Sequence, residues 1–137
     1  MRMRIVRCLV GFLLASLTCA VVHVLLVLPP TDYVGNPDYL SAIGVWVPLA
    51  FLHSAVFAAP FALVGLIWAE RRRIRHWSYY VGIGVGIAAI GFAAQLVQLG
   101  TGQPSMVLAY SLAAFLAGGV SGGLMYWVVA GRKAGRT

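Results

Sequence analysis

The sequence predicts an all-α integral membrane protein: four transmembrane helices in an up-down antiparallel bundle, with both termini on the cytoplasmic side. Three observations carry this. Four apolar runs, residues 5–28, 41–69, 77–99 and 105–130, each supply the roughly 20 residues needed to cross about 30 Å of hydrocarbon. The ten Lys and Arg sit in three clusters at the ends of those runs, and none lies in the other two loops. Charged residues make up 9% of the chain and hydrophobic ones 61%, whereas an ordinary soluble domain is about 25% charged. The 137 residues therefore read as one membrane domain.

The first run, IVRCLVGFLLASLTCAVVHVLLVL, has the basic start of a signal peptide, and Thr18-Cys19-Ala20 resembles a weak cleavage site. Its apolar stretch continues to Leu28, longer than a signal core and long enough to span, so it is read as a retained span. Pro29-Pro30 stops that helix, because proline lacks the N–H and clashes with the preceding turn. The following loop carries Asp32 and Asp38, two of the three acidic residues, and Tyr33, Tyr39 and Trp46 mark an outer aromatic belt.

The second run is longer than a span needs, and Pro60 within it predicts a kink. It ends at Glu70-Arg71-Arg72-Arg73-Ile74-Arg75-His76. Each guanidinium would cost roughly 2.5–3.5 kcal/mol at a helix centre on insertion scales, so this stretch is a turn in water or among headgroups. Glu70 is expected to pair with Arg71 or Arg73. The third run begins with Trp77, Tyr79 and Tyr80 at the same boundary, and Thr101–Pro104 is a short outer turn. The fourth ends at Tyr126 and Trp127, followed by the basic tail GRKAGRT.

With four spans, the clusters Arg2, Arg4, Arg7, then Arg71, Arg72, Arg73, Arg75, then Arg132, Lys133, Arg136 fall on one side. The positive-inside rule makes that side the cytoplasm, of a bacterial-type inner membrane. The pI near 10.1 points to nucleic acid in a soluble protein, but here the cations are juxtamembrane and no nucleic-acid partner is expected. The simplest reading of Arg71, Arg72, Arg73 and Arg75 is a topology signal. The alternative is a docking patch for anionic headgroups or an acidic partner, at roughly 1 kcal/mol per cation.

Small residues carry helix association in lipid, because the hydrophobic effect gives little attraction between helices there. Gly84, Ala88, Gly91, Gln95 and Gln98 share one face of the third span, and Ser111, Ala114, Gly118, Ser121 and Met125 one face of the fourth. Gly118-x-x-x-Gly122 and Gly119-x-x-x-Gly123 overlap it. Gly84, Ala88, Gly91, Gly118 and Gly122 are thus expected to form a seam of span 3 on span 4. Surplus glycines leave room for self-association or for another membrane subunit.

The intramembrane polar residues His23, His53, Gln95, Gln98 and Ser111 all fall in the outer half, and Ser16, Cys19 and His23 share a face of span 1. Buried polar groups need partners, so they are read either as interhelical hydrogen bonds or as a small polar pocket open to the outside. Two histidines on different helices could ligate a b-type haem, so His23 and His53 are the cofactor candidates, although no cofactor is otherwise expected. Cys8 and Cys19 are eleven positions apart on one helix, about 16 Å, too far for a disulfide with each other. There is no C-x-x-C or compact metal motif, no carboxylate inside any span to couple protons, and no catalytic constellation.

The leading expectation is thus a non-enzymatic accessory, scaffold or assembly subunit. A redox or ligand-binding protein using His23 and His53, and a small oligomeric transporter or channel, are the alternatives. Topology is the part most directly checked. A reporter active only in the cytoplasm is expected to work after Thr137 and in the turn at Arg73, and a periplasm-specific one at Gly35. A periplasmic Thr137 would overturn the four-span reading.

Overall fold

The computed structural model describes residues 2–28, 35–99 and 105–134. They form four helices, α1 (Arg2–Val27), α2 (Asp38–Arg72), α3 (Trp77–Leu99) and α4 (Ser105–Val129), and a final 3-10 turn at Gly131–Lys133. Among the described residues there is no strand. All four helices are long and apolar enough to cross a membrane. Pro29, Pro30, Tyr33 and the turn Thr101–Pro104 lie outside the described residues.

Helix α2 has 35 residues and runs without interruption through Pro48 and Pro60. At 1.5 Å per residue it is about 52 Å long, well beyond the roughly 30 Å of hydrocarbon. Its start is set by Asn36, whose side-chain oxygen accepts from the Asp38 amide at 2.9 Å, and Asp38 complements the helix dipole. Its end is a Schellman-type reversal: the Ile74 amide reaches back to the Ala69 carbonyl at 2.9 Å and the Arg73 amide to that of Glu70 at 3.4 Å. Arg73 takes the left-handed conformation there, φ 55°, a position glycine usually fills because a side chain costs about 1–2 kcal/mol in it.

The core is built from small residues. Among the described residues the buried apolar positions are mostly alanines, joined by Val24, Tyr80 and Tyr126, and no large side chain is fully buried. Packing centres on α4, which lies against both α1 and α3. A Cβ added at Gly119 would stand 2.5 Å from the Gly84 carbonyl oxygen, and one at Gly123 2.5 Å from that of Tyr80. At Gly118 it would meet Cys19 Sγ at 3.0 Å, and at Gly122 the Ala15 carbonyl oxygen at 3.1 Å.

The two overlapping motifs therefore have different partners. Gly119-x-x-x-Gly123 faces α3, and Gly118-x-x-x-Gly122 faces α1, because successive helical residues point about 100° apart. The expected seam of span 3 on span 4 holds for Gly84 and Ala88, which meet Gly119. Gly118 and Gly122 belong to the α1 contact instead. Gly91 stands against Phe115 of α4 and Phe57 of α2. Helix α2 packs on α1 and only sparsely on α3.

These contacts separate glycines that touch backbone from glycines that do not. Gly82 and Gly86 face open space, so alanine there is expected to leave thermal stability in detergent unchanged. Alanine at Gly119 or Gly123 must push two backbones apart and is expected to cost about 1–3 kcal/mol, the range of overpacking. A Gly123→Ala midpoint equal to that of Gly82→Ala would contradict this packing.

Candidate functional site

Two features stand out: a cluster of cations at one end of the helices and an apolar cavity among all four. The cluster is assembled by long-range hydrogen bonds to backbone carbonyls. Arg7 Nη2 donates to the Lys133 carbonyl at 3.0 Å and lies 3.6 Å from Glu70 Oε1. Arg75 Nε donates to the Ala134 carbonyl at 3.0 Å. Trp127 Nε1 donates to the Arg75 carbonyl at 2.8 Å, and the Tyr80 hydroxyl to that of Ile74 at 2.7 Å. The first helix, the α2–α3 turn and the chain after α4 are thereby tied at one basic end. At the other end the Tyr39 hydroxyl donates to the Leu28 carbonyl at 2.9 Å, and the Tyr110 hydroxyl donates to that of Leu26.

Glu70 was expected to pair with a neighbour in sequence, Arg71 or Arg73. The ion pair formed is with Arg7, and Cys8 Sγ also lies 3.8 Å from Glu70 Oε1. The cause is helix rotation: Glu70 lies about 100° round α2 from the buried Ala69, on the flank that meets Arg7 and Cys8 of α1. Arg71, Arg72 and Arg73 are exposed, and Arg72 stacks on the Trp68 ring at 5.0 Å.

The cavity has a volume of about 100 Å³. Its α2 wall is Ser54, Ala58, Ala62 and Leu66, and α3 contributes Ile83, Gly84 and Ile87. Ser16 and Cys19 of α1 and the α4 glycines form its floor, with Tyr80 and Tyr126 at its basic end. Of the helices that line it, α2 and α3 pack on each other only lightly. The contacts between these two helices include Ile83 against Gly65. The Tyr79 hydroxyl donates to the Gly65 carbonyl at 2.9 Å, and Phe57 comes within 3.5 Å of where a Gly91 Cβ would stand.

Comparison with known protein families, curated proteins and solved structures finds no match.

The polar residues named from sequence are distributed as follows. His23 packs edge-on against Phe115, with 4.9 Å between ring centroids. His53 is exposed on α2. Ser54, its neighbour, is turned inward to the cavity, and that rotation carries His53 about 100° away. Gln95 Oε1 is buried, with no hydrogen-bond partner among the described residues, Ser111 is half-buried, and the Gln98 side chain lies outside what is described. Among the described residues no group of three His, Cys, Asp or Glu could hold a metal ion.

The cavity-lining residues of α2 went unnoticed in the sequence, yet a signal existed. Ser54, Ala58, Ala62 and Ala69 recur at helical spacing in a helix otherwise rich in large apolar residues, and Ala62 and Ala69 are its buried positions. Chemically the cavity offers an apolar wall with two serine hydroxyls, two tyrosines and a thiol.

Proposed function

We propose that this is a non-enzymatic accessory or scaffold subunit of a bacterial-type inner membrane. In this reading its four helices form an up-down antiparallel bundle with the basic end and both termini in the cytoplasm. The orientation rests on the positive-inside rule. The basic-end hydrogen bonds support it, since they draw Arg7, Arg75 and Lys133 together.

The observation that carries the accessory role is the exposure of His53 on α2. Taking Trp68 as the interfacial marker, His53 is fifteen residues along the helix, about 22 Å, and so inside roughly 30 Å of hydrocarbon. An imidazole facing lipid at that depth has no water to bond, and an unsatisfied polar group there costs several kcal/mol. Another membrane subunit, or a second copy of this chain, supplies the missing partner along the α2 face. Arg71, Arg72, Arg73 and Arg75 then hold the complex against anionic headgroups.

Mild solubilisation followed by mass spectrometry of the purified complex tests this. The expected result is a stoichiometric partner, or a defined oligomer, that is lost in His53→Leu and kept in His53→Gln, with the protein accumulating equally in both. A wild-type protein that runs alone, or an unchanged complex in His53→Leu, would defeat the reading.

A further inference from the structure

We propose that the middle of the bundle holds an ordered water between α1 and α2, bound by Ser16, Cys19 and Ser54. The site does not depend on the role of His53.

Among the described residues Ser16 is the one buried polar side chain, 6% exposed. A hydroxyl inside a helix has a carbonyl three or four residues back within its reach. Thr18 donates to that of Leu14 at 2.8 Å, Ser41 to that of Asp38 at 2.7 Å and Ser121 to that of Gly118 at 3.0 Å. Ser16 makes no such bond, and no other among the described residues. A buried polar group without a protein partner points to a bound water. Ser16 lines the cavity of about 100 Å³ at the centre of the bundle, and a water needs only about 10–15 Å³ of such space.

The lining narrows the place. Of its polar side chains the two tyrosines are already engaged, Tyr80 on the Ile74 carbonyl and Tyr126 with the Cys8 thiol. Ser16, Cys19 and Ser54 remain. Cys19 is one turn along α1 from Ser16, and its thiol is within hydrogen-bonding reach of the Ser54 side chain. Residues three apart on a helix have Cβ atoms about 5–6 Å apart, a span that one water bridges with two bonds of roughly 2.7–2.8 Å. Hydroxyls both donate and accept, and a thiol does so weakly, so the three groups supply the two to four partners a buried water uses. No lining residue carries a full charge, which suits a neutral occupant. The remaining walls, Ala58, Ala62, Ile83 and Ile87 among them, are apolar, and that part stays dry.

Depth gives the water its consequence. Ser16 is the central residue of the apolar stretch Ile5–Val27, about 16 Å from either end, and Ser54 lies near the middle of α2. Lipid offers no hydrogen bond at that depth. Helices α1 and α2 are tied near the basic end by Arg7 and Glu70 and at the other end by Tyr39 and the Leu28 carbonyl. A water between Ser16 and Ser54 is a third tie, midway between these two.

Water-edited solid-state NMR tests this on the whole protein in phosphatidylcholine bilayers, with serine, cysteine and leucine labelled with carbon-13. The expected result is magnetisation transfer from water to Ser16, Cys19 and Ser54 several-fold faster than to Leu13, Leu17 and Leu52, which are exposed on the same two helices near the same depth. Ser16→Ala with Ser54→Ala should bring Cys19 down to the leucine rate. Transfer to Ser16 and Ser54 no faster than to those leucines, as when the Ser16 hydroxyl turns to the Phe12 carbonyl, would overturn the proposal. So would transfer to Ser16 from lipid methylenes in place of water, or an unchanged Cys19 rate in the double variant. The wild-type pattern decides the matter even where the double variant fails to fold.

Discussion

Close backbone approach at α4 is the constraint on which the rest of this structure depends. Helices surrounded by lipid gain little from burying apolar surface against one another, and packing distance decides their association. Helix α4 carries two Gly-x-x-x-Gly pairs displaced by one residue, and that displacement rotates them about 100° apart. One pair accepts the α1 backbone at Ala15 and Cys19, the other the α3 backbone at Tyr80 and Gly84. Both neighbours of α4 are thereby fixed. Helix α2 has no comparable glycine face, packs on α1 where Glu70 meets Arg7 and Cys8, and is more loosely set against α3.

The two ends are finished in different ways. At the basic end, Arg7, Arg75, Tyr80 and Trp127 donate to carbonyls at or near helix ends and turns, groups that a helix terminus leaves unsatisfied and that lipid cannot serve. At the other end Tyr39 and Tyr110 do the same for Leu28 and Leu26. Aromatic side chains suit this task because an apolar body can sit in lipid while a polar tip reaches a carbonyl. The Arg7–Glu70 pair adds a contact between the first helix and the end of the second, with side chains 20% and 27% exposed.

Much of the architecture was legible in the sequence because it follows from composition along one dimension. Apolar runs bounded by prolines, arginines and aromatics gave the four helices to within a few residues, with α3 at 77–99 as expected. What was not legible depends on rotation about helix axes. Two glycine pairs one residue apart announce two contact faces but not which neighbour takes which, so Gly118 and Gly122 were placed against the third span. The inward turn of Ser54 sends His53 outward, which no count of depth along the chain could show. Glu70 found a partner 63 positions away in Arg7, while the arginines beside it point into water. The shared outer pocket of His23, His53, Gln95, Gln98 and Ser111 rested on equal depth alone, and depth does not make side chains meet.

The central claim is that the α4 glycines divide between two neighbours. Solid-state NMR of the protein in phospholipid bilayers, with glycine α-carbons labelled with carbon-13, tests it most directly. The account predicts that Gly84 correlates more strongly with Gly119 and Gly123 than with Gly118 or Gly122. Correlations of Gly84 that are stronger with Gly118 or Gly122, or no glycine contact between α3 and α4, would contradict it.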